Sequence, residues 1–229
     1  MKKTFMMFLG AMLLLMMPIS SWGQNSFKQM LKAAKKGDAV AQTKVGNCYF
    51  YGKGVKQSYK KAAKWYDKAA DQDNDVALFN LGVSFYFGDG VRQNYYHAVS
   101  CLTKAAKQNH PKAQFLLGYC YTKGYGVEEN IYDAVEWYLK AANQGDAEAQ
   151  NNLGCCYFNG EGIRRPDIPS AIEWFKLSAE QGFAPAMFNL GNIYRNGFGV
   201  APDRKTAEDY YRRAAAKGYK PAIELLEQM

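Results

Sequence analysis

The chain is 229 residues long, with 48% hydrophobic residues, five cysteines, two histidines and a formal charge of +8. That length is enough for a substantial continuous core. His97 and His110 have no second His or Cys at metal-ligand spacing, so neither a metal site nor a cofactor is expected.

Lys2 and Lys3 precede an apolar run from Phe5 to Pro18, followed by Ser20, Ser21 and Gly23. This is the layout of a secretory signal peptide over 1–23, with cleavage after Gly23 leaving Gln24 first. The run is shorter than the roughly 20 apolar residues that span a bilayer, so removal is expected in place of retention as an anchor. No cysteine stands near the cleavage site to carry a lipid. The product is expected to be periplasmic or secreted, with no stable membrane insertion and no nucleic-acid ligand.

From there one period repeats. A Leu-Gly landmark falls at Val45-Gly46, Leu81-Gly82, Leu117-Gly118, Leu153-Gly154 and Leu190-Gly191, a step of 36 residues three times and 37 once. Aromatics follow at Tyr49, Phe85, Tyr121, Tyr157 and Tyr194, then a Gly-x-Gly in each unit from Gly52 to Gly199. Apolar or small residues at offsets 0, 4, 5 and 8 from the opening alanines (Ala41, Ala77, Ala113, Ala149 and Ala186) form one stripe of a helix, here helix A. In the next stretch Ala62, Tyr66, Ala69 and Ala70 mark a second amphipathic helix, helix B. The Gly-x-Gly suits a reversal through positive φ, and each unit closes on Asp73, Asn109, Gly145, Gly182 or Gly218, residues that tolerate a left-handed cap. The glycine on helix A and the alanines on helix B fit a close approach of their backbones.

The expected fold is therefore all-α, a stack of antiparallel helix pairs. Its parts are a half-repeat at 26–37, repeats at 38–73, 74–109, 110–145, 146–182 and 183–218, and a capping helix at 219–229. In that last helix Glu227 replaces the close-packing glycine, as suits an outermost helix, and the array reads as complete.

On these residues the chain closely resembles the Sel1-like repeat family, relatives of the tetratricopeptide repeats. The third unit carries the family pattern in Ala113, Leu117, Gly118, Tyr121, Gly124, Gly126, Val127, Ala134, Trp137, Tyr138, Ala141, Ala142 and Gly145. The resemblance implies a right-handed α-solenoid acting as an adaptor. In tetratricopeptide-like stacks the second face of helix A lines a concave groove. Here that face offers Phe79, Val83, Tyr86, Phe87, Phe115, Tyr119, Asn151, Phe158, Asn159, Phe188, Asn192 and Arg195. Aromatics anchor by desolvated area and Asn amides bond both donor and acceptor of a peptide backbone. Lateral packing of some of these rings between neighbouring A helices is the competing reading.

The expected function is a monomeric, non-catalytic adaptor for a protein or peptide. The alternative is a β-lactamase-like or cell-wall-precursor hydrolase with Ser58 of Ser58-x-x-Lys61 as nucleophile, although the companion Ser-Asp-Asn and Lys-Thr-Gly strings are missing. Glycan binding through aromatic rings is a third possibility. Lysines crowd the first helices and Arg204 to Lys217 the last, a distribution read as solvated helix faces ahead of a specific acidic partner. Cys48, Cys120 and Cys156 share a column whose members stand too far apart for bridging, and Cys155-Cys156 are adjacent on a helix. Cysteine-rich family members carry a bridge within each repeat, but no regular pair recurs here; Cys101 on helix B could reach Cys120, and packing as small hydrophobes is the favoured reading.

Overall fold

The computed structural model describes residues 21–228, with side chains from Ser26 onward; the leader expected over 1–23 lies outside these residues except for its last three positions. Among the described residues all regular structure is helical. The first unit, to Gln108, holds α1 (Ser21–Lys35), α2 (Ala39–Tyr51), α3 (Tyr59–Ala70), α4 (Asp75–Phe87) and α5 (Tyr95–Lys107). The second, from Asn109, holds α6 (Pro111–Lys123), α7 (Ile131–Asn143), α8 (Ala147–Asn159), α9 (Ile168–Glu180), α10 (Ala184–Asn196), α11 (Arg204–Ala216) and α12 (Lys220–Glu227). Within each unit every helix packs on the next in chain order. The even-numbered helices from α2 to α10 are of type A and their successors of type B.

Local chemistry sets each helix end. The side chains of Asp38, Asn74, His110 and Asp146 cap the A helices by accepting from the amides of Ala41, Ala77, Ala113 and Ala149. Ser58, Asn94, Asn130, Asp167 and Asp203 do the same for the B helices. Both glycines of each Gly-x-Gly take positive φ, as do Asp73 and Asn109 at the unit ends. Every hairpin is then locked by one bond: the amide of the B-helix cap residue donates to the carbonyl of the core aromatic on helix A, from Ser58 to Tyr49 at 2.8 Å through Asp203 to Tyr194 at 2.8 Å. The longer fourth loop keeps that bond, Asp167 to Tyr157 at 2.8 Å, so its extra residue is accommodated without changing the register.

The glycine on helix A meets a side chain from helix B. A methyl built on Gly118 would lie 2.8 Å from the Tyr138 ring, and one on Gly154 would lie 2.8 Å from Phe175. Tyr66, Leu102 and Tyr211 occupy the same place against Gly46, Gly82 and Gly191. The expected backbone approach is present at Gly118, where the Ala134 carbonyl stands 3.1 Å from the same built methyl, but the ring is the nearer obstacle. Tyr66, Tyr138 and Tyr211 are among the most deeply buried large side chains.

Buried polar groups join successive repeats. Gln42 donates to the Ala34 carbonyl at the end of α1 (3.1 Å) and accepts from Gln72 after α3 (2.8 Å). Gln150 repeats the arrangement with the Ala142 carbonyl (3.1 Å) and Gln181 (2.7 Å). Each such Gln adds a second donor to a buried helix-end carbonyl that already accepts from the closing glycine amide, Gly37 or Gly145. Lys112 on α6 reaches the buried Asp146 (2.9 Å) and Glu148 (3.0 Å) at the start of α8. Burial alone would lower the Lys112 ammonium, but the two carboxylates together carry it above its ordinary value. Burial pushes Glu148 up, an effect that Lys112 only partly offsets.

The glycine contact is open to test. Gly154→Ala is expected to cost about 1 to 3 kcal/mol by overpacking, and trimming Phe175 to Leu in that background to recover part of the loss. Urea denaturation of both variants checks this, and an unchanged midpoint for Gly154→Ala would contradict it.

Candidate functional site

The twelve groove candidates meet different fates. In the first unit Phe79, Val83 and Phe87 are half-buried, while Tyr86 is buried with its ring 4.8 Å from Phe87 and 5.2 Å from Tyr95. In the second unit Phe115 is only 3% exposed, packed 6.1 Å from the Tyr138 ring, and Tyr119 is half-buried 6.4 Å from Tyr125. Asn151 is buried and accepts from Asn189 at 3.0 Å, and Phe188 sits 5.5 Å from both Tyr211 and Tyr219. Tyr86, Phe115 and Phe188 thus pack on rings of their own repeat or on the Tyr219 cap, and Asn151 meets Asn189 of the next A helix. Arg195 is exposed and bonds the Tyr211 hydroxyl.

Three candidates come together. Phe158, Asn159 and Asn192 line a half-open cavity of about 340 Å³ built mainly from α8 and α10, with Cys155, Asn189, Ile193 and Asn196 in the wall, Phe175 on α9, and Phe198 from the following loop. The Phe158 and Phe198 rings meet edge to face at 5.4 Å. Around them stand four carboxamides, each fixed at one end. Asn192 accepts from the Tyr211 hydroxyl (2.8 Å), Asn189 donates to Asn151, Asn196 donates to the Asn192 carbonyl (2.9 Å), and Asn159 donates to Glu161 (3.1 Å). The opposite ends, one amide NH2 on Asn192 and the oxygens of the other three, can serve a ligand carrying both donors and acceptors. No charged side chain lines the cavity.

Asn189 and Phe198 escaped the sequence reading. Asn189 belongs to the column at offset 3 (Lys44, Asn80, Leu116, Asn152, Asn189), whose three asparagines in mid-helix were a usable signal. In the first unit the same column sends Asn80 to Asn47 at 3.2 Å, and Asn47 also accepts from the Tyr66 hydroxyl. Phe198 is the central residue of a Gly-x-Gly, where side chains vary freely and no period marks them.

The residues weighed for catalysis have structural partners. Ser58 caps α3 by accepting from the Lys61 amide at 3.3 Å, while the Lys61 ammonium lies 5.3 Å over the Tyr49 ring. His110 caps α6 through Nδ1, and His97 is exposed beside Phe85. Among the described residues no group of His, Cys, Asp and Glu could hold a metal ion. All five cysteines are free. Burial pushes the Cys155 thiol to about 11 and those of Cys120 and Cys156 to about 12, so all three are protonated and poorly nucleophilic near neutrality.

The Sel1 repeat pattern matches this chain five times in tandem, at residues 39–74, 75–110, 111–146, 147–183 and 184–219. The chain belongs to the Sel1 repeat family. Such repeats are typically protein-binding adaptors and form helical solenoids, the fold class seen here. A Sel1 repeat protein from Oxalobacter formigenes is 31% identical, with a TM-score of 0.80 over 90% of this chain and 87% of its own. A protective antigen of uropathogenic Escherichia coli strains, displaying an SLR fold, is 35% identical with a TM-score of 0.78; the match covers 86% of this chain but only 42% of the antigen. An immunity protein of Pseudomonas aeruginosa is 25% identical, with a TM-score of 0.55 over 88% of this chain and 76% of its own. No curated protein matches significantly. Among the described residues no helix is long and apolar enough to cross a membrane.

The thiols give a direct check on the cavity wall. Ellman's reagent should count five thiols in the denatured Sel1 repeats. The native protein at pH 8 should show Cys155 reacting slowly, its rate rising roughly tenfold per pH unit towards pH 11. Fewer than five thiols, or a fast native reaction at Cys155, would contradict the structure.

Proposed function

We propose that this Sel1 repeat chain is an exported, non-catalytic adaptor that binds an extended segment of another protein, anchored in the cavity between α8 and α10. The observation that carries the reading is the meeting of four carboxamides with the Phe158 and Phe198 rings in an uncharged recess. A peptide backbone presents alternating NH and carbonyl groups, which carboxamides can match, while the two rings desolvate an apolar side chain of the same segment. A volume of about 340 Å³ is of the size that admits a side chain with its flanking peptide groups. The resemblance to a protective antigen and to an immunity protein suits recognition better than turnover.

The test is capture by site-specific crosslinking from position 196 in native cells. A partner crosslinked by the parent chain should be lost in the double variant Phe158→Ala, Asn192→Ala while helical circular dichroism is retained. Capture that survives both substitutions refutes the cavity as anchor.

Export is supported by the charged and apolar segments before Ser20. Among the described side chains the first in the core is Phe27, which packs with Ala34, Ala41 and Val45. Intact mass and N-terminal sequencing of protein from native cells should find Gln24 first; a chain beginning at Met1 would refute cleavage.

A further inference from the structure

Positive charge is distributed very unevenly along the chain. Between residues 26 and 70 there are eleven lysines, no arginine, no glutamate and two aspartates, Asp38 and Asp67. The second unit is close to balanced, with thirteen basic against fifteen acidic residues over 109–229. On α1 the cations are Lys28, Lys32 and Lys35, followed directly by Lys36; at 3.6 residues per turn the three helical lysines fall within an arc of roughly 60° on the side away from Phe27 and Ala34. On α3 they are Lys60, Lys61, Lys64 and Lys68, within an arc of roughly 100° away from Tyr66 and Ala69. All eight are exposed, and no ion pair among the described residues engages any of them.

Both helices pack on α2 through their apolar faces, so both lysine stripes turn away from it. Trp65 of α3 joins the apolar cluster built from α1 and α2, which holds the two helices to one body. It remains partly exposed with the Lys68 ammonium 5.0 Å over its ring. At the end of α2, Tyr51 is 56% exposed, with the Lys53 ammonium 5.5 Å over its ring.

We propose that the lysine face of α1 and α3 docks this protein on an anionic phospholipid bilayer. The choice of lysine points to that occupant. A nucleic acid or a folded acidic protein is gripped by arginine, whose planar fork pairs with phosphate or carboxylate and which interfaces enrich while depleting lysine. Lysines are point charges suited to a smeared layer of headgroups, and Trp and Tyr beside them match the composition of the membrane interface. The attachment is peripheral and electrostatic. It is independent of the cavity in the second unit.

The experiment is sedimentation with vesicles, using protein produced in and purified from native cells. Vesicles of phosphatidylcholine with 30% phosphatidylglycerol should bind the chain at 50 mM NaCl and release it at 500 mM, whereas pure phosphatidylcholine should not bind it. Lys60→Gln with Lys64→Gln should weaken partition about 25-fold, roughly fivefold per lysine. Lys205→Gln with Lys220→Gln, exposed in the second unit, should leave partition unchanged. Equal binding to neutral vesicles, an equal loss in both double variants, or binding to DNA or polyglutamate without vesicle binding would overturn the proposal.

Discussion

Each repeat depends on one steric allowance: a glycine in the middle of helix A admits a side chain from helix B. The contact sets how closely the pair can approach, and the side chain that enters, a ring in four repeats and Leu102 in the second, is almost fully buried. Three positions later the helix A aromatic offers its carbonyl to the cap residue of helix B, so the loop is tied at the residue that ends the packed stripe. Glycine is a poor helix former, costing about 1 kcal/mol in a helix interior relative to alanine. Burial of a Tyr or Phe ring, or of Leu102 in the second repeat, outweighs that penalty, which explains why the glycine is kept in all five repeats.

Between repeats the holding forces are more polar and less uniform. The Gln42 and Gln150 bonds are equivalent, yet Leu78 and Met187 fill the same column in the second and fifth repeats and keep it apolar. Either choice works because the column is sealed from water: a carboxamide must find both partners, and an alkyl chain needs none. The Lys112 contact with Asp146 and Glu148 is local to the junction of the third and fourth repeats. The stack is thus held by substitutable junctions, as expected when each repeat touches only its neighbours.

The helices, their order and the left-handed positions at Asp73 and Asn109 were legible in the sequence because five copies of the same pattern report the same backbone. Phe115 and Phe188 were harder. Their column is aromatic in three repeats, and whether a ring lines a groove or packs beside the next one depends on the residue across from it, Tyr138 or Tyr211 and Tyr219. Repetition cannot show that, since it is a property of pairs of columns. Asn189 was missed for a related reason: a polar residue in mid-helix reads as solvated until the neighbouring helix brings Asn151 to it.

Those paired columns also explain why the cavity forms where it does. Where helix B supplies a tyrosine hydroxyl, helix A supplies an acceptor: Tyr66 with Asn47, Tyr211 with Asn192, and Tyr138 with Thr122. In the fourth repeat the B-helix ring is Phe175, without a hydroxyl, and the residue across from it is Cys155, smaller and less polar than Asn. The fifth repeat has the exposed Arg195 where the second has the buried Tyr86. Cys155 and Phe175 give the recess an apolar wall beside Asn189 and Asn192, which keep their bonds to Asn151 and the Tyr211 hydroxyl. The recess joins residues of the fourth and fifth repeats, so it is a property of two adjacent units that no single copy of the pattern carries.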